Sequence, residues 1–330
     1  YGPHTWPGGF APEGDGLITV GATINMGSAA TDTVWISRLT HSGILDGPAT
    51  LVVTTAMTWN GGVVGGTGVL SIPDTVVLNK YGTVTLTGRT LENAGTVNWI
   101  TGGFTVADGA LIDNQVGAVF DMQENSQLSV SGTVPAFNNE GLLLYSEPSN
   151  AKNVMIAVDN FGTLDVQSAR LYLNDTFTST GTVNIGDGAT LGLYSPRSID
   201  NTVTIGAGGS MDFPGGYGPH TWPGGFAPQG EGLITVGSTI NMGSAATDTV
   251  WISRLTHSGI LSGPATLVVT NAMTWNGGTI GGTGVLSIPD TVVLNKYGTV
   301  TLTGRTLENA GTVNWITGGF TVADGALIDN

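Results

Sequence analysis

The 330-residue chain holds 53 glycines and only 10 % charged residues, about twice and well under half of the usual shares. A coiled coil needs dense Ala, Glu and Lys, collagen needs a three-residue glycine period, and a disordered chain needs more charge and fewer β-branched residues, so composition excludes all three. A net charge of −15 repels phosphate backbones and anionic bilayers, the lack of cysteine removes disulfides and thiolate chemistry, and no apolar run approaches the ~18 residues of a membrane span.

What remains is an all-β reading, with glycine turns joining β-branched runs, and the pattern repeats. Residues 1–114 recur as residues 217–330, an offset of 216, with seven of 114 positions changed, and YGPHTWPGGFAP opens both copies. The chain thus divides into one repeat unit, 1–216, and the first half of the next, 217–330. Pro/Gly/aromatic junction segments lie at 1–16 and 208–232.

Within the unit a shorter, imperfect period runs in chain order. A long first step leads from Gly16 to GPATLVV at Gly47, a shorter one to GTGVLSI at Gly68, and a longer one again to GTVNWI at Gly95. Gly-led apolar strands follow as GAVFDM at Gly117, GLLLYS at Gly141, GTLDVQ at Gly162 and GTVNIG at Gly181. NTVTIG at Asn201 continues the series without its glycine, and a last long step reaches Gly232. Nine such steps make up one unit.

Each regular step has three parts. After the Gly-led strand comes a second alternating strand, such as FTVADG at Phe104, QLSVSG at Gln127, RLYLND at Arg170 or TLGLYS at Thr190. A third apolar touch then ends in an Asn corner: ALIDN at Asn114, AFNN at Asn139, SIDN at Asn201. Val97 and Trp99 share one face of GTVNWI while Thr96 and Asn98 take the other, the period of a half-buried strand. GAVFDM departs from this, since Phe120 and Met122 fall on the opposite parity from their glycine. Three short strands per step, without a helix-period segment, predict a parallel β-helix (β-solenoid) of about nine three-strand coils per unit. At ~4.8 Å per coil one unit extends roughly 43 Å. An antiparallel sandwich explains the alternation but not the recurrent three-strand order.

The corner-and-strand phrases LENAGTVNW at Leu91, DNFGTLDV at Asp159 and TSTGTVNIG at Thr178 resemble repeats of right-handed parallel β-helix proteins. Those include haemagglutinin- and autotransporter-type bacterial adhesins and large tandem-repeat surface proteins. The resemblance implies a right-handed coil and an extracellular, cell-surface location. It also implies a ladder of corner asparagines, for which Asn93, Asn114, Asn139 and Asn160 are the candidates; Ser179 and Thr180 replace the Asn before Gly181.

The same fold class hosts pectin- and polysaccharide-cleaving enzymes, whose chemistry needs clustered carboxylates beside a basic residue. Here Arg89 and Arg170 fall on separate coils, and Asp121, Asp165 and Asp187 have no basic companion. His4 and His41, repeated as His220 and His257, are the only histidines, too few for a His-rich metal site. No catalytic residue, cofactor or metal ligand set is expected, and calcium is at most a weak ligand of scattered turn aspartates. The junction MDFPGGYGPHTWPGGFAPQGEG at Met211 is too rich in Pro and Gly for a central strand, so it is expected to loop out or to hinge two solenoid blocks. Tyr217, His220, Trp222 and Phe226 are its candidates for contact with a neighbouring subunit or a glycan, against a self-packed Ω-type loop. Trp35, Trp59 and Trp99 alternate with polar residues and are expected in the core. The expected role is structural and non-catalytic: a stiff extracellular fibre, sheath or stalk-like filament, assembling with itself end to end or laterally. A glycan- or host-binding adhesin and a polysaccharide lyase or hydrolase are the alternatives.

Overall fold

A computed structural model describes residues 2–134, 136–195, 197–199 and 202–330. The described residues form 42 strands and no helix. They wind as right-handed parallel β-solenoid, with about 15 turns in all. The chain packs as two compact units, Tyr1–Asp165 and Val166–Asn330.

In the first unit the three-part grammar becomes three columns of stacked strands. A Gly-led column holds Thr96–Trp99, Val119–Met122 and Leu142–Tyr145; a middle column holds Phe104–Ala107, Leu128–Ser131 and Ala151–Val154. An Asn column holds Leu111–Asn114, Ala136–Asn139 and Ala157–Asn160. Each strand runs parallel to its equivalent one turn later, as in Thr96↔Val119↔Leu142 and Asn114↔Asn139↔Asn160. The second unit repeats the plan, with Thr182–Ile185 and Thr202–Ile205 Gly-led, Thr190–Leu193 and Ser210–Phe213 middle, and Phe177–Ser179 and Arg197–Ile199 in the third column. The corner Asn201 lies outside the described residues.

Alternation along each strand buries every second side chain, so Val97, Phe120 and Leu143 pile on one another inside the first unit. Each such burial is worth about 1.5–3 kcal/mol. One turn alone has nothing to bury its inner face against, so the stability of a turn comes from its neighbours. Turns also approach closely at their corners. Gly102 sits at φ +73°, and a Cβ there would overlap the backbone of Gly82 on the preceding turn.

The parity of GAVFDM is resolved by one extra residue. Ala118, not Gly117, occupies the place of Gly95 and Gly141, and Gly117 takes φ +83° in a turn closed by Ala118 N–H donating to Gln115 O. Phe120 and Met122 therefore stand opposite Val97 and Trp99 and point inward like them.

The number of coils per unit is larger than the nine read from the glycine steps. Among the described residues, 28 strands lie between His4 and the start of the equivalent strand at His220. Thr33–His41 and Thr50–Trp59 each fill two column positions, and the segment at Phe10, whose carbonyl accepts from Trp35 N–H, fills one more. At three positions to a turn, one repeat makes ten and one-third turns. The long steps that end at Gly47, Gly95 and Gly232 each cover more than one turn, because the residues that mark their ends lie in different columns.

Two other expectations are corrected. Trp59 and Trp99 are buried, but Trp35 is 42 % exposed and its equivalent Trp251 is 43 % exposed. Val34 and Ile36 take the inward parity of that strand, which leaves Trp35 on the outer face. The junction neither loops out nor hinges. His220–Trp222 is a strand paired on one side through Ser198↔Thr221 and on the other through His220↔Ile240 and Trp222↔Met242. Pro219 and Pro223 flank this strand rather than interrupt it, so no ladder donor is lost.

Candidate functional site

Four of the predicted residues form a continuous polar spine inside the first unit. Asn93 Nδ2 donates to Asn114 Oδ1 at 2.7 Å, Asn114 Nδ2 to Asn139 Oδ1 at 2.7 Å, and Asn139 Nδ2 to Asn160 Oδ1 at 2.6 Å. The same amides also donate to Val119 O, Leu142 O and Thr163 O. Each corner is thereby tied both to the next corner and to the start of the Gly-led strand that follows that next corner. All four asparagines are buried, where an unmet amide would be costly. The spine starts at Asn93, whose Oδ1 has no partner because Ile72 occupies the position below it. In the second unit Asn309 Nδ2 donates to Asn330 Oδ1 in the same way. Ser179 is buried where the earlier corners carry Asn.

The four junction aromatics do not form one exposed patch. His220, Trp222 and Phe226 are buried, Trp222 packing against Phe213 and Phe226 at 5.6 and 5.4 Å between ring centroids. Only Tyr217 faces solvent, at 47 % exposure. It continues an outer column of rings, Tyr172 to Tyr194 at 5.3 Å and Tyr194 to Tyr217 at 5.0 Å. Beside it lies an open groove of about 380 Å³ lined by Pro219, Ser238, Thr239 and Ile260.

Cations also lie inside the solenoid, where charge alone gives no reason to expect them. Arg89 is buried and donates from Nε to Gly65 O at 2.7 Å, from Nη1 to Ala49 O and Val69 O at 3.0 and 2.9 Å, and from Nη2 to Gly47 O at 2.6 Å. Arg305 makes the four equivalent bonds to Gly281, Ala265, Val285 and Gly263. Each guanidinium clamps its own turn to the two before it, using a fork of donors that no other side chain offers. Burial lowers both to about 10, opposed at Arg89 by the Asp46 carboxylate, so both stay charged at neutral pH. An arginine whose donors are committed to carbonyls this way is not available as a proton acceptor on a groove.

Lys80 and Lys152 point inward onto Trp99. Lys152 Nζ lies 3.4 Å from the ring centroid and donates to Glu124 O and Ser126 O at 2.9 and 2.7 Å, with the Glu124 carboxylate at 3.6 Å. Lys80 Nζ lies 4.6 Å from the centroid and donates to Thr101 O and Gly102 O. Burial pulls both ammoniums down to about 7 against the attraction of Glu124. Above them Tyr145 Oη donates to Asn150 O at 2.5 Å, and burial together with the Glu147 charge pushes the phenol upward. Strand parity was the available signal: Lys80 shares the inward face with Leu78, as Trp99 does with Val97.

Carboxylates on the outer face bond to side chains and backbone of their own and the next turn. Asp121 accepts from Ser146 Oγ at 2.6 Å and from Gln123 Nε2 at 2.8 Å, and Asp187 accepts from Gly208 N–H at 2.5 Å. Among the described residues no three His, Asp or Glu side chains gather in a metal-sized group. Among the described residues, no helix is long and apolar enough to cross a membrane. In comparisons with family models, with curated proteins and with solved structures, nothing matches this chain.

Proposed function

We propose that the chain is the repeat region of a non-catalytic structural filament at the cell exterior, giving length and stiffness rather than chemistry. The observation that carries this reading is the junction. Ser210–Phe213 stacks directly under Leu233–Val236, and Arg197–Ile199 under His220–Trp222, so the second copy begins on a fully built turn with no linker. Copies joined in this way lengthen one continuous core, and each new copy covers the open strand edges of the last. Scarce and partly buried Lys and Arg suit an exposed filament, because few trypsin sites are accessible. Immunogold labelling of thin sections of whole cells with an antibody raised against the folded chain tests the proposal. Evenly spaced gold along thin filaments outside the cell supports it; gold confined to the cell interior refutes it.

A second reading has its own observation. Exposed Tyr217, with Tyr194 and Tyr172 behind it and the groove at Ser238 and Thr239 alongside, offers ring faces and hydroxyls suited to a sugar. A filament bearing this surface is a glycan-binding adhesin. Glycan-array binding that is lost in Tyr217→Ala supports it, whereas binding by neither protein removes it. The polysaccharide-cleaving reading is tested by release of reducing or unsaturated sugar ends from pectin and alginate.

A further inference from the structure

The same sequence occupies different columns in the two units. In the first, Leu17–Val20 stacks under Arg38–His41, which continues through Ala56–Trp59 and Val77–Lys80 to Thr96–Trp99; this is the Gly-led column. In the second, the identical Leu233–Val236 stacks on Ser210–Phe213, above Thr190–Leu193 and Arg170–Leu173; this is the middle column. His4–Trp6 shows the same displacement. It stands in the middle column, under Thr23–Met26 and Ile44–Asp46, whereas His220–Trp222 continues the third column from Arg197–Ile199. The column that Leu233–Val236 vacates is carried on by Gln229, which bridges Thr204.

The cause is arithmetic. A repeat of ten and one-third turns cannot end where it began, so each copy starts one column later than the copy before it. The repeated interior survives the displacement: the Arg89 clamp and the Arg305 clamp keep the same four carbonyls in both frames. We infer that successive repeats are phased by a third of a turn, so that a surface feature carried once per repeat is presented on three faces in rotation. The feature returns to one face only at every third copy, about 150 Å along the axis at ~4.8 Å per turn. A tandem array of this sequence therefore displays any outer contact all round the filament instead of along one side.

The inference rests on the solenoid fold and not on the filament reading, and it can be tested on the 330-residue chain itself. The chain has no cysteine, so paired cysteines report without background. Dibromobimane, which becomes fluorescent on bridging two thiols about 5 Å apart, the spacing of neighbouring strands, is the probe. Asp212→Cys with Thr235→Cys joins outward positions in register on adjacent turns and is expected to crosslink. Thr19→Cys with Thr40→Cys is the equivalent reference in the first unit and is expected to crosslink as well. Thr204→Cys with Thr235→Cys pairs the Gly-led column with the displaced strand and is expected not to. Crosslinking of the Thr204 pair without the Asp212 pair overturns the inference, as does failure of both while the Thr19 pair reacts. Circular dichroism confirms that each variant retains its β fold before the comparison is made.

Discussion

Replacing Arg89 by methionine keeps most of the side-chain volume but removes four charge-assisted donors from the interior. The carbonyls of Gly47, Ala49, Gly65 and Val69 then lose their side-chain donor, at about 1–3 kcal/mol for each acceptor left unmet. Against that stands the cost of holding a buried cation. Its lowering to about 10 from the ordinary guanidinium value corresponds to about 3 kcal/mol, which the substitution recovers. The acceptor loss outweighs it, and a net destabilisation of about 4 kcal/mol is expected. Arg89→Lys is expected to fall between the two, because one ammonium reaches at most three acceptors. The assay is hydrogen exchange read by segment, since a stacked array opens locally and a single midpoint does not describe it. Protection should fall across residues 44–72 and stay unchanged around the second clamp at residues 260–288. If Arg89→Met exchanges like the parent throughout, the four bonds do not hold the turns together and the clamp is a spectator.

Other perturbations have equally definite outcomes. Asn139→Ala interrupts the spine at a buried midpoint, depriving Asn114 of an acceptor and Asn160 and Thr163 of a donor; denaturation should show a loss of about 2–4 kcal/mol, and Asn93→Ala, at the spine's end, should cost less. Gly102→Ala places a Cβ against the Gly82 backbone at a left-handed φ, so the protein should lose several degrees of melting temperature, with Gly117→Ala milder because nothing lies near its Cβ. Lys80 and Lys152 bind their protons less tightly when folded, near 7, than the 10.5 of the unfolded chain, so the unfolded state holds more protons between those values and stability should rise as pH increases from about 7 to 10. His41 and His257, lowered to about 4 from 6.5 by burial, act likewise at lower pH, and stability should fall as pH drops from 6.5 toward 4. Guanidinium midpoints measured across pH check both trends; Lys152→Met should flatten the alkaline one and leave the acid one.

Much of the fold is written in two sequence features, the alternation within strands and the order Gly-led strand, second strand, Asn corner. These are local rules, so they can be read one turn at a time, and the corner asparagines stand where that order puts them. Phase along the whole repeat is different. The steps ending at Gly47, Gly95 and Gly232 look like single long turns. Yet those ending at Gly95 and Gly232 each add a third of a turn and the one ending at Gly47 adds two-thirds, which only pairing partners reveal. Residue type also misled where parity should have decided. Trp35 suggests a core by its size, but its neighbours Val34 and Ile36 claim the inner face; Lys80 and Arg89 suggest a surface by their charge, but lie on inward positions where backbone carbonyls take their protons. His220–Trp222 between two prolines is the same lesson at the junction, since three residues suffice for a strand when turns above and below supply the partners.

Tandem copies of this sequence are expected to stack as one uninterrupted parallel solenoid. The most direct measurement is a three-dimensional reconstruction by electron microscopy of a chain with four or more copies. Rungs about 4.8 Å apart without a break at the junctions and an axial advance of about 50 Å per copy are the expected result. Separate globules joined by linkers, or strands running antiparallel in two facing layers, would contradict it.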